Sequence, residues 1–422
     1  MFDKLGKYVN KQRAGEMVYL SSQISTPAVG LLTNFIAAKF LVPYELGVVQ
    51  TVMLIAGYCS FFHFGVFNGL NRNIAFYEAQ GNYPKIQKMV ESSWTTALIN
   101  LGLGLLISII VFAYYYVQDN DRLYMSATAV VLGMLIFGPL GTHCETIYRS
   151  CRSFMALGLI LNIKNGINLL LGFLPVFMGV LGLILRYALI PVVHFVLLYR
   201  QCPLKPKNSG RFDETSELAR VGFPMLVTGI LYIFFTAADR TVAALTLGPT
   251  AVGELALSGM IMNAVQVIPV SMGSLLYPRA SFIYGKTMRS GGLKKFFWFS
   301  LLFNIVTIVP ICIGCYYFIA PLTNRFLPNY AAGIDSAQIY ALGSMFLIYY
   351  GVSIIIPVVR RNIPVMGAYL IAIMVIWGLG FLFVKKGYGI EGIAWARFIA
   401  TGFLCLFTIS YSYYLTTADI KA

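Results

Sequence analysis

Charge is what this chain has least of: Asp, Glu, Lys and Arg together make up 11% of its 422 residues, against roughly 25% in an ordinary soluble domain. Acids are the scarcer sign, with 16 Asp and Glu to 31 Lys and Arg and a net charge of +15. So few charges cannot solvate a folded surface of this size, which excludes a water-soluble globular enzyme. Histidine is limited to His63, His143 and His194, scattered without metal-ligand spacing. The seven cysteines are odd in number and form no disulfide framework. Cys312 and Cys315 have CxxC spacing but lack a second pair or a nearby His, so apolar packing is preferred for them over metal or redox work. Gly285-Lys286-Thr287 resembles the end of a phosphate-binding loop, yet position 280 is Ala where the motif needs its first Gly, which excludes ATP hydrolysis by that segment. Asp119 and Asp121 read as a solvated turn. No loop is long enough to hold a folded catalytic domain. The N-terminal MFDKLGKYVNKQR is basic without an apolar core before Met17, so the first span is predicted to remain as an uncleaved anchor.

What the chain does have is apolar sequence. Hydrophobic residues are 58% of it, arranged in runs of about 20, long enough for helices to cross a hydrocarbon core and without the alternation of an outer-membrane barrel. The fold class is therefore an all-α integral membrane protein. Twelve spans are predicted, at 17–38, 46–67, 93–117, 123–141, 154–177, 180–199, 219–247, 252–277, 296–320, 336–357, 363–384 and 389–415. Of the Lys and Arg between the spans or at their very ends, 22 fall on the side of the termini and 5 on the other. By the positive-inside rule both termini are cytoplasmic. The same distribution explains the net charge without a nucleic-acid partner, because the bases lie between spans rather than on a soluble basic domain. The segment 71–90 is polar but keeps Ile74, Phe76 and Ile86, and reads as a cytoplasmic interfacial stretch.

Two short segments repeat half a chain apart. Ala37, Ala38, Leu41, Pro43 and Gly47 of NFIAAKFLVPYELG fall, at an offset of 206 residues, on Ala243, Ala244, Leu247, Pro249 and Gly253 of RTVAALTLGPTAVG. Each copy reads as the end of one apolar helix, a Pro-bearing turn and the start of the next. A second echo follows in order: Gly179-Val-Leu-Gly182 with Arg186, against Gly389-Ile-Glu-Gly392 with Arg397. The chain is read as two six-helix halves, residues 1–200 and 217–422, joined by a cytoplasmic linker at 201–216.

Lys164, Arg186, Arg240 and Arg397 lie inside predicted spans, where a central cation costs about 2.5 to 3.5 kcal/mol. Snorkelling or local pairing is the competing explanation for each. Lys164 sits in LNIKNGINLL with Asn162, Asn165 and Asn168 at helical spacing, a polar sector expected to face a wet cavity. Asp239 is the clearest intramembrane acid, but its neighbour Arg240 points about 100° away on a helix. Surplus positive charge implies an anionic ligand, and phosphate is the usual anion that needs several Lys or Arg donors. Gln23, Thr33, Asn34, Asn263 and Gln266 add neutral donors and acceptors of the kind sugars need, although interhelical hydrogen bonding accounts for them equally.

These residues resemble a known family. KFLVPYELG at 39–47 is similar to the R-x-L-G-P-x-x-x-G turn between the first two spans of the Wzx-type oligosaccharide flippases, of the multidrug/oligosaccharidyl-lipid/polysaccharide exporter superfamily. GLNRNIAFYEAQGNYPK at 69–85 looks like their cytoplasmic segment after the second span. Phe223-Pro224, Ala238-Asp239-Arg240, Leu276-Tyr277-Pro278-Arg279 and the segment from Tyr388 to Gly392 continue the likeness through the second half. Lys39 and Val42 depart from the family's Arg and Gly. The resemblance implies two lobes around a central cavity and alternating access that carries an undecaprenyl-pyrophosphate-linked oligosaccharide across the bacterial inner membrane. Twelve spans rather than fourteen favour an O-antigen, capsule or exopolysaccharide unit over a peptidoglycan precursor. Candidate substrate contacts are Lys164, Arg186, Arg240, Arg397, Asn34, Asn165 and Asn168, with Asp239 the candidate for ion coupling. No catalytic role, metal or cofactor is implied. The expected partners are the lipid-linked substrate, membrane lipids and other polysaccharide-assembly proteins. The rival readings are a cation-coupled drug or metabolite exporter of the same superfamily, which should line its cavity with acids, and a membrane polymerase or ligase, which would need a large periplasmic loop.

Overall fold

The computed structural model describes residues 2–118, 122–206, 210–287, 289–359 and 361–418. Asp119, Asp121, the middle of the linker at 207–209, Arg360 and Lys421 lie outside the described residues. Apolar runs without strand alternation fold as helices throughout: α1 (Phe2–Phe40), α2 (Pro43–Cys59), α3 (Val66–Ala79), α4 (Tyr83–Val117), α5 (Arg122–Ser150), α6 (Phe154–Leu171), α7 (Leu174–Met178), α8 (Val180–Arg200), α9 (Thr215–Thr246), α10 (Pro249–Glu254), α11 (Ala256–Thr287), α12 (Lys294–Phe326), α13 (Ile334–Ser344), α14 (Tyr349–Ser353), α15 (Ile355–Val358), α16 (Ile363–Lys385) and α17 (Gly389–Thr417).

Among the described residues, ten helical stretches are long and apolar enough to cross a membrane. The first two of the twelve expected spans are missing from that set for different reasons. Ser21, Ser22, Gln23, Ser25, Thr26 and Asn34 dilute α1 with polar side chains, and α2 is only 17 residues long. The expected span 46–67 is in fact broken, since the chain turns between Cys59 and Val66 with Phe64 at φ 45° and Gly65 at φ 83°. The expected span 336–357 is likewise divided into α13, a tight 3₁₀ turn at Met345–Ile348, α14 and α15.

The chain forms two compact units, Met1–Leu41 with Val48–Ile233, and Val42–Gly47 with Phe234–Ala422. In the first, α1 packs on α6 and α5 on both α4 and α8. Its core holds Met89, Cys144, Ile147, Tyr148, Leu157, Leu198 and Leu218. The second is built from the end of α9 and α10 to α17, with Leu276, Phe297, Ile355, Ile356 and Leu415 in one cluster and Val242, Val252, Tyr340 and Ile393 in another.

The boundary between units differs from the linker expected at 201–216 because the start of α9 is strapped to the first unit. Glu217 accepts from the Tyr77 hydroxyl and the Lys85 ammonium, both at 2.9 Å, while Glu214 lies 3.9 Å from Lys85. The repeated Pro–Gly turns account for the other departure. In the second unit the turn at 43–47 packs against the turn at 249–253 so closely that a Cβ on Gly47 would overlap the Pro249 carbonyl, and one on Gly253 the Pro43 carbonyl. Each glycine lets the other copy's backbone in.

Candidate functional site

Helix α8 begins at Gly179 (φ 57°) and α17 at Gly389 (φ 53°), left-handed conformations that glycine adopts without a Cβ penalty. These are the first residues of the second sequence echo, so the repeat is one of backbone as well as of letters. About two turns further on, each helix carries its buried arginine.

In the first unit Arg186 is 3% exposed. Its Nε donates to Asn168 Oδ1 on α6 at 3.0 Å and its Nη2 to Thr33 Oγ1 on α1 at 2.5 Å. The guanidinium lies 4.9 Å from the Tyr187 ring centre, and the Tyr187 hydroxyl donates to Asn34 Oδ1 at 3.1 Å. Every group holding Arg186 is neutral, and its Nη1 has no hydrogen-bond partner. Three helices thus converge on one uncompensated cation. Lys164 is half-buried one turn before Asn168 on α6, within the electrostatic reach of Glu145.

The polar sector on α6 does not face one way as expected. Asn165 is 2% exposed and donates to Ser25 Oγ at 2.8 Å and Thr26 Oγ1 at 2.9 Å. Asn162 donates to Ser21 Oγ at 3.1 Å and accepts from Ser25 Oγ at 3.0 Å. These two asparagines clamp α1 to α6, which is also why α1 can afford so many hydroxyls. Asn168 alone of the three turns to an arginine.

In the second unit the equivalent arginine has a different set of partners. Arg397 is 3% exposed, donates to the Phe235 carbonyl at 2.5 Å and stacks 4.0 Å from the Phe235 ring centre. Its Nη1 lies 4.0 Å from Asp239 Oδ2. That same oxygen accepts from the Tyr340 hydroxyl at 2.5 Å, and Oδ1 accepts from the Arg240 backbone N–H at 2.8 Å. The Asp239 carboxylate is therefore satisfied from three directions, and a coupling cation entering there would meet a guanidinium already in place. Arg240 is half-buried. A cavity of about 10 Å³ beside Arg397 is lined by Tyr340, Ser344 and Thr401 among others, room for roughly one water.

The structure thus groups the expected residues into two sites, Arg186 with Asn168, Asn34 and nearby Lys164, and Arg397 with Asp239, while Asn165 belongs to helix packing. Tyr187 and Tyr340 were not among the expected contacts. Nor was Glu145, whose carboxylate pairs with Arg149 one turn on and lies 3.4 Å from His194 Nε2. The Glu145–Arg149 spacing was the available signal for that pair.

Residues 13–283 match the family model described as polysaccharide biosynthesis protein. The chain belongs to that family. No curated protein matches it in sequence. Among solved structures, the polysaccharide biosynthesis chain superposes on an inward-facing multidrug resistance MATE family transporter of the MOP superfamily, with a TM-score of 0.78 at 14% identity over 95% of this chain and 98% of that one. The lipid II flippase MurJ, in an inward closed conformation, gives 0.69 at 16% identity over 94% and 87%. A MOP superfamily transporter from Pyrococcus furiosus, described as having a binding pocket of reverse polarity, gives 0.67 at 13% identity over 96% of each. At such identities the likeness is one of fold, and that fold is the one shared by these multi-pass transporters and flippases.

Proposed function

We propose that this polysaccharide biosynthesis protein is a flippase, translocating an undecaprenyl-pyrophosphate-linked oligosaccharide from the cytoplasmic to the periplasmic leaflet of the bacterial inner membrane by alternating access. The unit carried would be an O-antigen, capsule or exopolysaccharide repeat, and both termini would be cytoplasmic. The observation that carries this reading is Arg186: a guanidinium cannot shed its proton, and here it is buried among neutral donors and acceptors, with no acid paired to it among the described residues. An anionic headgroup supplies the missing charge. Lys164 adds half-buried positive charge in the same unit, Arg240 is a half-buried cation of the second unit, and Asn34 and Asn168 provide groups suited to sugar hydroxyls.

The MATE-like fold supports a second reading, a cation-coupled drug or metabolite exporter. Its candidate coupling acid, Asp239, is committed to Tyr340 and Arg397, which favours the flippase. The test is surface glycan in a strain deleted for this gene and complemented with variants whose membrane levels are matched. Lys164→Gln and Arg186→Met should each depress export, and Lys164→Arg should retain more than Lys164→Gln. Full export by both neutral variants would remove the cationic mechanism.

A further inference from the structure

We infer that the two units hold the same anion site in two states: around Arg186 it receives a phosphate-bearing lipid headgroup, and around Arg397 it is filled by the chain's own Asp239 carboxylate. This deepens the flippase reading and rests on it.

The equivalence comes from the repeat. Gly179 and Gly389 open the two helices with left-handed φ, Gly182 and Gly392 follow, and Arg186 and Arg397 come next. The offset of 206 residues that aligns Pro43 with Pro249 also aligns Thr33 with Asp239. These are the residues that face the two guanidinium groups, at 2.5 Å from Nη2 in the first unit and 4.0 Å from Nη1 in the second. One position therefore holds a hydroxyl in one unit and a carboxylate in the other.

The chemical consequence differs between them. In the second unit a carboxylate places one negative charge beside the arginine, its Oδ2 4.0 Å from Nη1, while the Tyr340 hydroxyl and the Arg240 backbone N–H fix it in place. In the first unit Thr33 offers one neutral oxygen. Each arginine keeps one buried nitrogen without a hydrogen-bond partner among the described residues, Nη1 of Arg186 and Nε of Arg397, so what separates the units is the carboxylate beside Arg397 and the neutral hydroxyl beside Arg186. A buried cation of this kind is costly unless an anion completes it. The planar fork suits a phosphate oxygen pair, and Lys164, one turn from Asn168 on α6, favours a second phosphate over a lone carboxylate.

The same headgroup chemistry could come from the polyprenyl pyrophosphate of the substrate or from a membrane phospholipid, so both are offered. Native mass spectrometry of the full chain in detergent would count retained geranylgeranyl pyrophosphate against phosphatidylglycerol. Wild type should retain one pyrophosphate lipid. Thr33→Asp copies the second unit's arrangement and should weaken retention by about tenfold or more, while Thr33→Asn, alike in size but uncharged, should weaken it far less. Asp239→Thr copies the first unit's arrangement and should admit a second equivalent. Undiminished retention by monodisperse Thr33→Asp or Arg186→Met would overturn the inference, and preferential retention of phosphatidylglycerol would overturn its assignment to substrate. Export in cells separates the two levels: normal export by Thr33→Asp defeats the inference alone, whereas a wild-type gene that exports no glycan defeats the flippase reading.

Discussion

Removing the charge of Asp239 while keeping its shape should expose how much the second unit depends on the Arg397 pair. Both residues are almost fully buried, at 4% and 3% exposure, and Asp239→Asn leaves the guanidinium without an anion. Breaking a buried pair from one side costs about 3 to 5 kcal/mol in a soluble interior. Two things reduce that here. Arg397 keeps the Phe235 carbonyl and the Phe235 ring, and an unfolded state within a membrane or micelle finds substitute partners, so about 2 to 3 kcal/mol is expected. Arg397→Met should cost less, because the Asp239 carboxylate keeps the Tyr340 hydroxyl and the Arg240 backbone N–H as donors. The double variant should be less destabilised than the sum of the two, with a coupling of about 1 to 3 kcal/mol. Equilibrium unfolding of the purified chain in mixed micelles measures all three. Additive effects, with coupling under about 0.5 kcal/mol, would refute the pair as a unit. So would an Asp239→Asn variant as stable as wild type.

Reporter fusions after Arg211 and Ser290 should read cytoplasmic, and those after Asn120, Gly248 and Asn324 periplasmic; finding Asn120 and Arg211 on one side would overturn the twelve-span topology. Gly253→Ala and Gly47→Ala each place a methyl group on a backbone carbonyl, so each should destabilise the second unit by about 1 to 3 kcal/mol, read as a lowered midpoint in detergent thermal scans. An unshifted midpoint would mean that the two turns do not pack this closely in solution. Asn165→Ala removes two hydrogen bonds to α1, worth about 0.6 kcal/mol each in a membrane setting, and should loosen the α1–α6 clamp while leaving surface glycan near wild type; a loss of glycan at normal membrane level would return Asn165 to the substrate path.

How far the sequence could be read depended on which partners lay close along the chain. Pro43 and Gly47 were visible as a motif because their copies stand in the same local context, and the structure packs the two copies against each other. Asn162, Asn165 and Asn168 were legible as a polar sector of one helix, but the periodicity of α6 says nothing about which neighbouring helix covers which residue. Their partners on α1 are about 140 residues away in sequence, so the sector was read as wet when most of it is a helix contact. The breaks at Cys59–Val66 and Met345–Ile348 were hidden for another reason: both lie inside continuous apolar sequence, where hydropathy carries no record of a turn.

Asp239 shows how the missing partner could have been found. Taken alone it was an intramembrane acid beside an arginine it could not reach, which made it a candidate for binding a cation. Extending the repeat four residues back from Ala37 and Ala243 sets it opposite Thr33, and the second echo brings Arg186 to within one residue of the position of Arg397. Two helices that approach each other in one unit should do so in its copy, so the contact of Arg186 with Thr33 in the first unit has its counterpart in Arg397 beside Asp239 in the second. The asymmetry between a neutralised and an unneutralised cation is then a property of the duplicated sequence, and the fold supplies the distances.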